Sequence, residues 1–219
     1  MDFDLRGRDC ETGELHEYDG KALSYFSHSP YPFGFDPTFH RYRLDEPQRM
    51  KKPQTIFVCS MADMFADWVP TEWIKAIFDA CKAAPQHRYI FLTKNGGRYI
   101  RLEGESIHVD GSSGLWMNSD NAWYGQTITG DGDKQVTHHK NLFLSIEPLL
   151  SRVTHFAGYI HFKWVIVGAM TGPGAKAYIP QREWIEEIVQ QCRASNIPVF
   201  LKNSLADIWG EALIQEYPW

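Results

Sequence analysis

Six short apolar runs, each closing on polar or glycine-bearing residues, constrain this chain more than any other feature. They are Thr55–Cys59 before Ser60-Met61-Ala62-Asp63, Tyr89–Leu92 before Thr93-Lys94-Asn95, and Trp123-Tyr124-Gly125 before Gln126-Thr127-Ile128-Thr129. The others are Leu142–Ile146 before Glu147-Pro148, Trp164–Val167 before Gly168-Ala169-Met170-Thr171-Gly172, and Val199–Leu201 before Lys202-Asn203-Ser204. Continuous apolar runs of this length suit strands buried on both faces, as in a parallel sheet covered by helices. In such sheets the ligand lies beyond the carboxyl ends of the strands. The six tails are therefore expected to converge on one site.

Two helical patterns separate some of these runs. Ile74, Ile77, Phe78 and Cys81 recur at i, i+3, i+4 and i+7 behind Pro70, which predicts a helix over Thr71–Ala83. Ile185, Ile188, Val189 and Cys192 repeat the spacing behind Pro180 and predict Gln181–Ala194. Both helices begin Glu-Trp-Ile and lead to a strand closing on Lys-Asn. The Ile128–Leu142 link is marginal for a parallel crossover, which needs about a dozen residues or more, and leaves little room for a helix. Gly104–Asn121, with its Gly and Ser clusters, reads as a loop. A chain of 219 residues with such links is too short for eight regular units. The expected fold class is α/β: a partial, TIM-like βα barrel with parallel strands over 55–219, or an open α/β sheet. Residues 1–54 are dense in Pro, Gly and aromatics and read as an irregular segment lying on that domain.

Composition narrows the class of function. Hydrophobic residues make up 43% and aromatics 14%, which suits a packed core. The formal charge of −5 does not advertise a polyanion partner. No run approaches the roughly 20 apolar residues of a membrane span. The first residues lack the apolar core of a signal peptide, so the expected location is the cytosol. Cys10, Cys59, Cys81 and Cys192 form no C-x-x-C pair; the last three read as packed apolar positions.

Chemistry concentrates in the tails. Glu147 leaves its strand before a proline, where a carboxylate can act as acid or base, hold hydroxyls or bind a metal. A structural ion pair with a neighbouring strand-end lysine is the alternative. Lys94 and Lys202 each end a strand and can bind phosphate or carboxylate as point charges. Asp63 can cap a loop or helix start through backbone N–H groups. Gly168 opens a glycine-bearing tail that lets the backbone approach a ligand, but it lacks a P-loop lysine. The histidines (His16, His28, His40, His138 and His139 among them) form no ligand set, and no hydrolase triad order occurs.

Several stretches occur together in order: Phe35-Asp36-Pro37-Thr38-Phe39-His40, Leu44-Asp45-Glu46-Pro47, Ile56–Phe65, Leu92-Thr93-Lys94, Phe143–Leu150 and Trp164–Gly168. Across about 33–205 the chain resembles a phage and prophage family of radical-SAM-like proteins. The resemblance implies a partial βα barrel binding S-adenosylmethionine and a [4Fe–4S] cluster at the strand carboxyl ends. It implies that Ser60 and Asp63 face the methionine part, Thr127 and Thr129 the ribose and Gly168 the adenine. Glu147 and Lys94 would face the substrate or the cofactor carboxylate as catalytic residues. This sequence departs from the family in lacking its three-cysteine motif, and a site-differentiated cluster needs three thiolates. The expectation is a chain that begins after its first βα unit, since an open barrel edge would expose pairing groups. On this reading the domain binds S-adenosylmethionine but is catalytically incomplete, the cluster depending on an upstream cysteine motif. Partners would be the small-molecule cofactor and a phage-encoded protein, with no membrane. Two alternatives stay open: a noncatalytic nucleic-acid- or protein-binding module, and a metal-assisted hydrolase using Asp63 and Glu147.

Overall fold

The computed structural model describes residues 15–20, 33, 36–106, 120–133, 141–156 and 162–219. The chain divides into two compact units, Met1–Gln54 with Trp68–His87, and Thr55–Asp67 with Arg88–Trp219.

In the first unit, β1 (His16–Tyr18) pairs in parallel with β2 (Thr38–His40), followed by a 3-10 turn over Arg41–Arg43 and α1 (Glu46–Arg49). The sequence predicts no regular element here. Elements of three or four residues are too short to leave a periodic signature. Tertiary bonds hold them instead: Glu17 accepts from Arg41 and, at 3.0 Å, from the Trp73 indole, while Phe39 stacks on Trp73 at 5.1 Å. Arg41 holds the Glu17 carboxyl below its ordinary range. Helix α2 (Thr71–Lys82) follows Pro70 as predicted and buries Trp73, Ile74, Phe78 and Cys81.

The second unit holds β3 (Thr55–Phe57), β4 (Arg88–Thr93), α3 (Gly97–Ser106), β5 (Ala122–Ile128), β6 (Leu142–Ile146), β7 (Trp164–Val167), α4 (Arg182–Ala194), β8 (Val199–Leu201) and α5 (Ala206–Trp209). All six predicted runs are strands of one sheet. It is wholly parallel, its strands adjacent in chain order, and it curls as a half-barrel. Sequential order has a simple cause. Right-handed crossovers that always advance the same way put their connections on one face and curl the sheet away from them.

Alternation then sorts the side chains. The outer face carries Tyr89, Phe91, Tyr124, Leu144, Ile146, Val165, Val167, Val199 and Leu201, all buried. Tyr99 of α3 packs there, edge-on to Tyr124 at 5.9 Å, its hydroxyl donating to the Gly125 carbonyl at 2.9 Å. The inner face carries Ile90, Trp123, Phe143 and Trp164 as a buried cluster, with Leu92, Ile166 and Phe200 half-buried beside it. Phe143 needs a glycine opposite: a methyl at Gly125 would lie 2.1 Å from its ring.

Helix α4 matches the predicted span within a residue and buries Ile185, Ile188 and Cys192. Helix α3 replaces part of a stretch read as a loop, since 104–106 close that helix. The rest of that stretch to 119, together with Cys10, His28, His138 and His139, lies outside the described residues. Among the described residues no helix is long and apolar enough to cross a membrane.

Candidate functional site

Register decides which tail residues meet. One residue beyond the Thr93–Gln126 pair, Lys94 falls beside Thr127, which is level with Ser145; Ser145 is level with Ile166, and Ile166 with Phe200. One step beyond Ile146, Val167 and Leu201 come Glu147, Gly168 and Lys202. Because strand side chains alternate, Lys94, Thr127, Ser145, Glu147 and Lys202 share the inner face at the carboxyl ends of four strands.

Glu147 and Lys202 form a salt bridge at 2.5 Å, with 30% and 43% of their side chains exposed. The ion-pair alternative for Glu147 is thus realised, with Lys202 rather than Lys94 as partner. Gly168 lies between the two strands that carry them. A methyl there would approach Glu147 Oε1 to 2.8 Å and Lys202 Cδ to 3.1 Å, so only glycine leaves the pair its room. Backbone bonds fix the rim: Gly168 donates to Ile146, Glu147 to Ile128 and Lys202 to Val167, at 3.0, 3.2 and 2.9 Å. The Ser204 hydroxyl accepts from Ala169 N at 3.0 Å and ties the β7 and β8 tails together.

Asp63 accepts three hydrogen bonds, from Phe65 N (2.9 Å), the Thr93 hydroxyl (2.8 Å) and Lys94 N (3.0 Å). Both oxygens are engaged, as a loop cap requires. Its carboxylate anchors the loop that presents Lys94, whose own side chain is exposed. Ser60 is exposed in the preceding turn, where Cys59 has a φ of 55°. A non-glycine residue in that region carries strain of a kind that gathers at ligand-binding loops. Thr127 is half-buried on the inner face. Thr129 is committed locally: its hydroxyl donates to Asp133 at 3.0 Å, and its N–H reaches the same carboxylate.

Ser145 and Ser204 were not singled out from the sequence. Ser145 was legible, since it precedes Glu147 by two residues and must share its face. Ser204 was not, because its partner is 35 residues away.

The described residues do not suit an iron–sulfur cluster. Among the described residues no three His, Cys, Asp or Glu side chains converge as a metal-ligand set. Cys81 and Cys192 are buried and Cys59 is half-buried. Burial pushes the Cys192 thiol up to about 12, so it does not supply a thiolate near neutrality. What the rim offers is a carboxylate and an ammonium side by side, a half-buried hydroxyl at Thr127 with the buried Ser145 beside it, a lysine at Lys94 and an apolar tier below.

A family model described as "Protein of unknown function (DUF5131)" matches residues 16–215. No curated protein and no solved structure matches the chain.

Proposed function

The chain belongs to this family of unknown function, so its activity has to be read from the site, and we propose that the inner face binds S-adenosylmethionine or a close analogue. The Glu147–Lys202 pair carries the reading. A zwitterionic head can insert between such a pair, its ammonium on Glu147 and its carboxylate on Lys202, exchanging one ion pair for two. Half-buried Thr127 supplies a hydroxyl partner for a ribose, with Ser145 buried beside it, and Gly168 keeps the backbone open beside the pair. Lys94 is left for the charge of a second reactant. Asp63 acts through Lys94 as a positioning residue.

S-adenosylmethionine supplies an activated sulfonium when bound; this chain's residues would bind and orient it. A radical cleavage would need an electron donor and three thiolates that the described residues do not furnish, so none is assigned. The resemblance in the six tails supports a domain that keeps the binding half of a radical-SAM-type barrel. The metal-assisted hydrolase reading has less support, since both oxygens of Asp63 are hydrogen-bonded and Glu147 is paired.

Calorimetric titration with S-adenosylhomocysteine and S-adenosylmethionine tests the proposal. Removing one partner of a charge-assisted contact costs about 1.5–3 kcal/mol, so Glu147→Gln and Lys202→Met should each weaken binding about tenfold or more. The wild-type chain binding neither compound would end the proposal. Unchanged affinity in both variants would move the ligand elsewhere.

A further inference from the structure

We infer that the segment Gln215–Trp219 is the floor of this site and restricts it to ligands whose apolar part is flat. The inference rests on the reading that the inner face holds a ligand.

The segment first runs antiparallel beside β8. Leu201 N donates to Ile214 O at 2.7 Å, Glu216 N donates to Val199 O at 3.0 Å, and Phe200 bridges Gln215. Glu216 locks it further. Its carboxylate accepts from Val199 N at 3.1 Å and from Arg193 at 2.8 Å, and its carbonyl accepts from the Trp164 indole at 2.9 Å. Arg193 accordingly holds the Glu216 carboxyl below its ordinary range.

The chain then passes beneath the inner face. The Tyr217 ring lies 5.8 Å from Trp164 and 5.3 Å from Phe200, and Trp219 lies 5.3 Å from Trp164 and 5.4 Å from Trp123. The Arg88 guanidinium caps Trp219 at 4.1 Å. Two rings thus reach side chains of β4, β5, β7 and β8. They remain 53% and 45% exposed, as floor tiles wetted on their outer side would be.

The consequence is a shallow slot. Ile90, Trp123, Phe143 and Trp164 are sealed; half-buried Leu92 lies level with Phe143 and Trp164, and half-buried Ile166 and Phe200 lie one step above, beneath Glu147 and Lys202. Same-face neighbours on a strand are about 6.6 Å apart, so the apolar part of the slot is a single side-chain tier deep. A planar heteroaromatic ring fits, lying against Phe200 and Ile166 while a charged head reaches Glu147 and Lys202. An acyl chain or a twisted ring pair does not. Tyr217 and Trp219 are specificity-determining positions.

The test replaces the tiles in the full chain, with 1-anilinonaphthalene-8-sulfonate, whose twisted rings need more depth, as the probe. Wild type should give little dye fluorescence, and Tyr217→Ala/Trp219→Ala a several-fold gain with circular dichroism and unfolding cooperativity unchanged. Trp219→Phe, which keeps a ring, should return the signal toward wild type. The single alanine variants should give intermediate gains and decide the matter if the double variant does not fold. Folded variants without a dye gain, or Trp219→Phe as bright as Trp219→Ala, would overturn the floor. If the dye gain appears but S-adenosylhomocysteine fails to bind wild type, the floor stands and the functional reading falls. If the nucleoside binds wild type and double variant alike with no dye gain, the reverse holds.

Discussion

At the scale of single residues, the site depends on groups whose value is set by a neighbour rather than by their own chemistry. Gly168 is the clearest. Its absent side chain is what Glu147 Oε1 and Lys202 Cδ occupy, at 2.8 and 3.1 Å from where a Cβ would be. Both atoms belong to flexible side chains that can move aside, and a partly exposed pair contributes about 0–1 kcal/mol to stability. Gly168→Ala should therefore leave the melting temperature almost unchanged while weakening S-adenosylhomocysteine binding about tenfold. Calorimetry beside a thermal melt separates the two effects. A large loss of stability with binding intact would mean that the glycine serves the fold instead. Glycine followed by an apolar strand was visible in the sequence as a place where backbone nears a ligand. That its space belongs to a glutamate 21 positions earlier was not.

At the scale of elements, length and surroundings decided what could be foreseen. Helices α2 and α4 announce themselves because three apolar turns in register can only face one way. Helix α3 does not, since Gly96, Gly97 and Gly104 weaken its pattern by about 1 kcal/mol for each glycine inside it. It exists because Tyr99 and Leu102 are buried and Tyr99 reaches Gly125. Burial, with the nearby Asp63 charge, pushes the Tyr99 phenol well above its ordinary range, against the smaller opposite effect of the Gly125 bond. Strand β2 carries a pH dependence of its own. Burial, then the nearby Arg43 charge, lowers the His40 pKa from 6.5, so the folded state prefers the neutral ring. The associated stability is fully present above pH 6.5 and is lost as pH falls through the folded value. Unfolding by urea at pH 7.5 and 5.5 should show a larger acid loss for wild type than for His40→Gln. Equal losses would remove His40 from the explanation.

At the scale of the whole sheet, order along the chain becomes order in space. Strands β5 and β6 have a partner on each side and side chains that are almost all buried, whereas β3 ends the sheet with Thr55 and Phe57 exposed. The β8 edge is closed by the Ile214–Glu216 backbone bonds. Hydrogen exchange should accordingly be slowest in β5 and β6, protected in β8 and fastest among the strands in β3. Exchange in β3 as slow as in β6 would show that something covers that edge.

Local patterning alone dictated an α/β chain, six parallel strands, two of the helices and a rim of polar tails at one end of the sheet. Those conclusions need only the period of an element and the chirality of a crossover, both properties of neighbouring residues. Tertiary structure decided the rest: that Glu147 pairs with Lys202, 55 residues away, that Asp63 spends its carboxylate on the Lys94 loop, that Ser145 and Ser204 join the rim, and that Tyr217 and Trp219 close it from below. Each of these is a contact between distant segments, and its partner is chosen by sheet register and curl, which no local pattern carries.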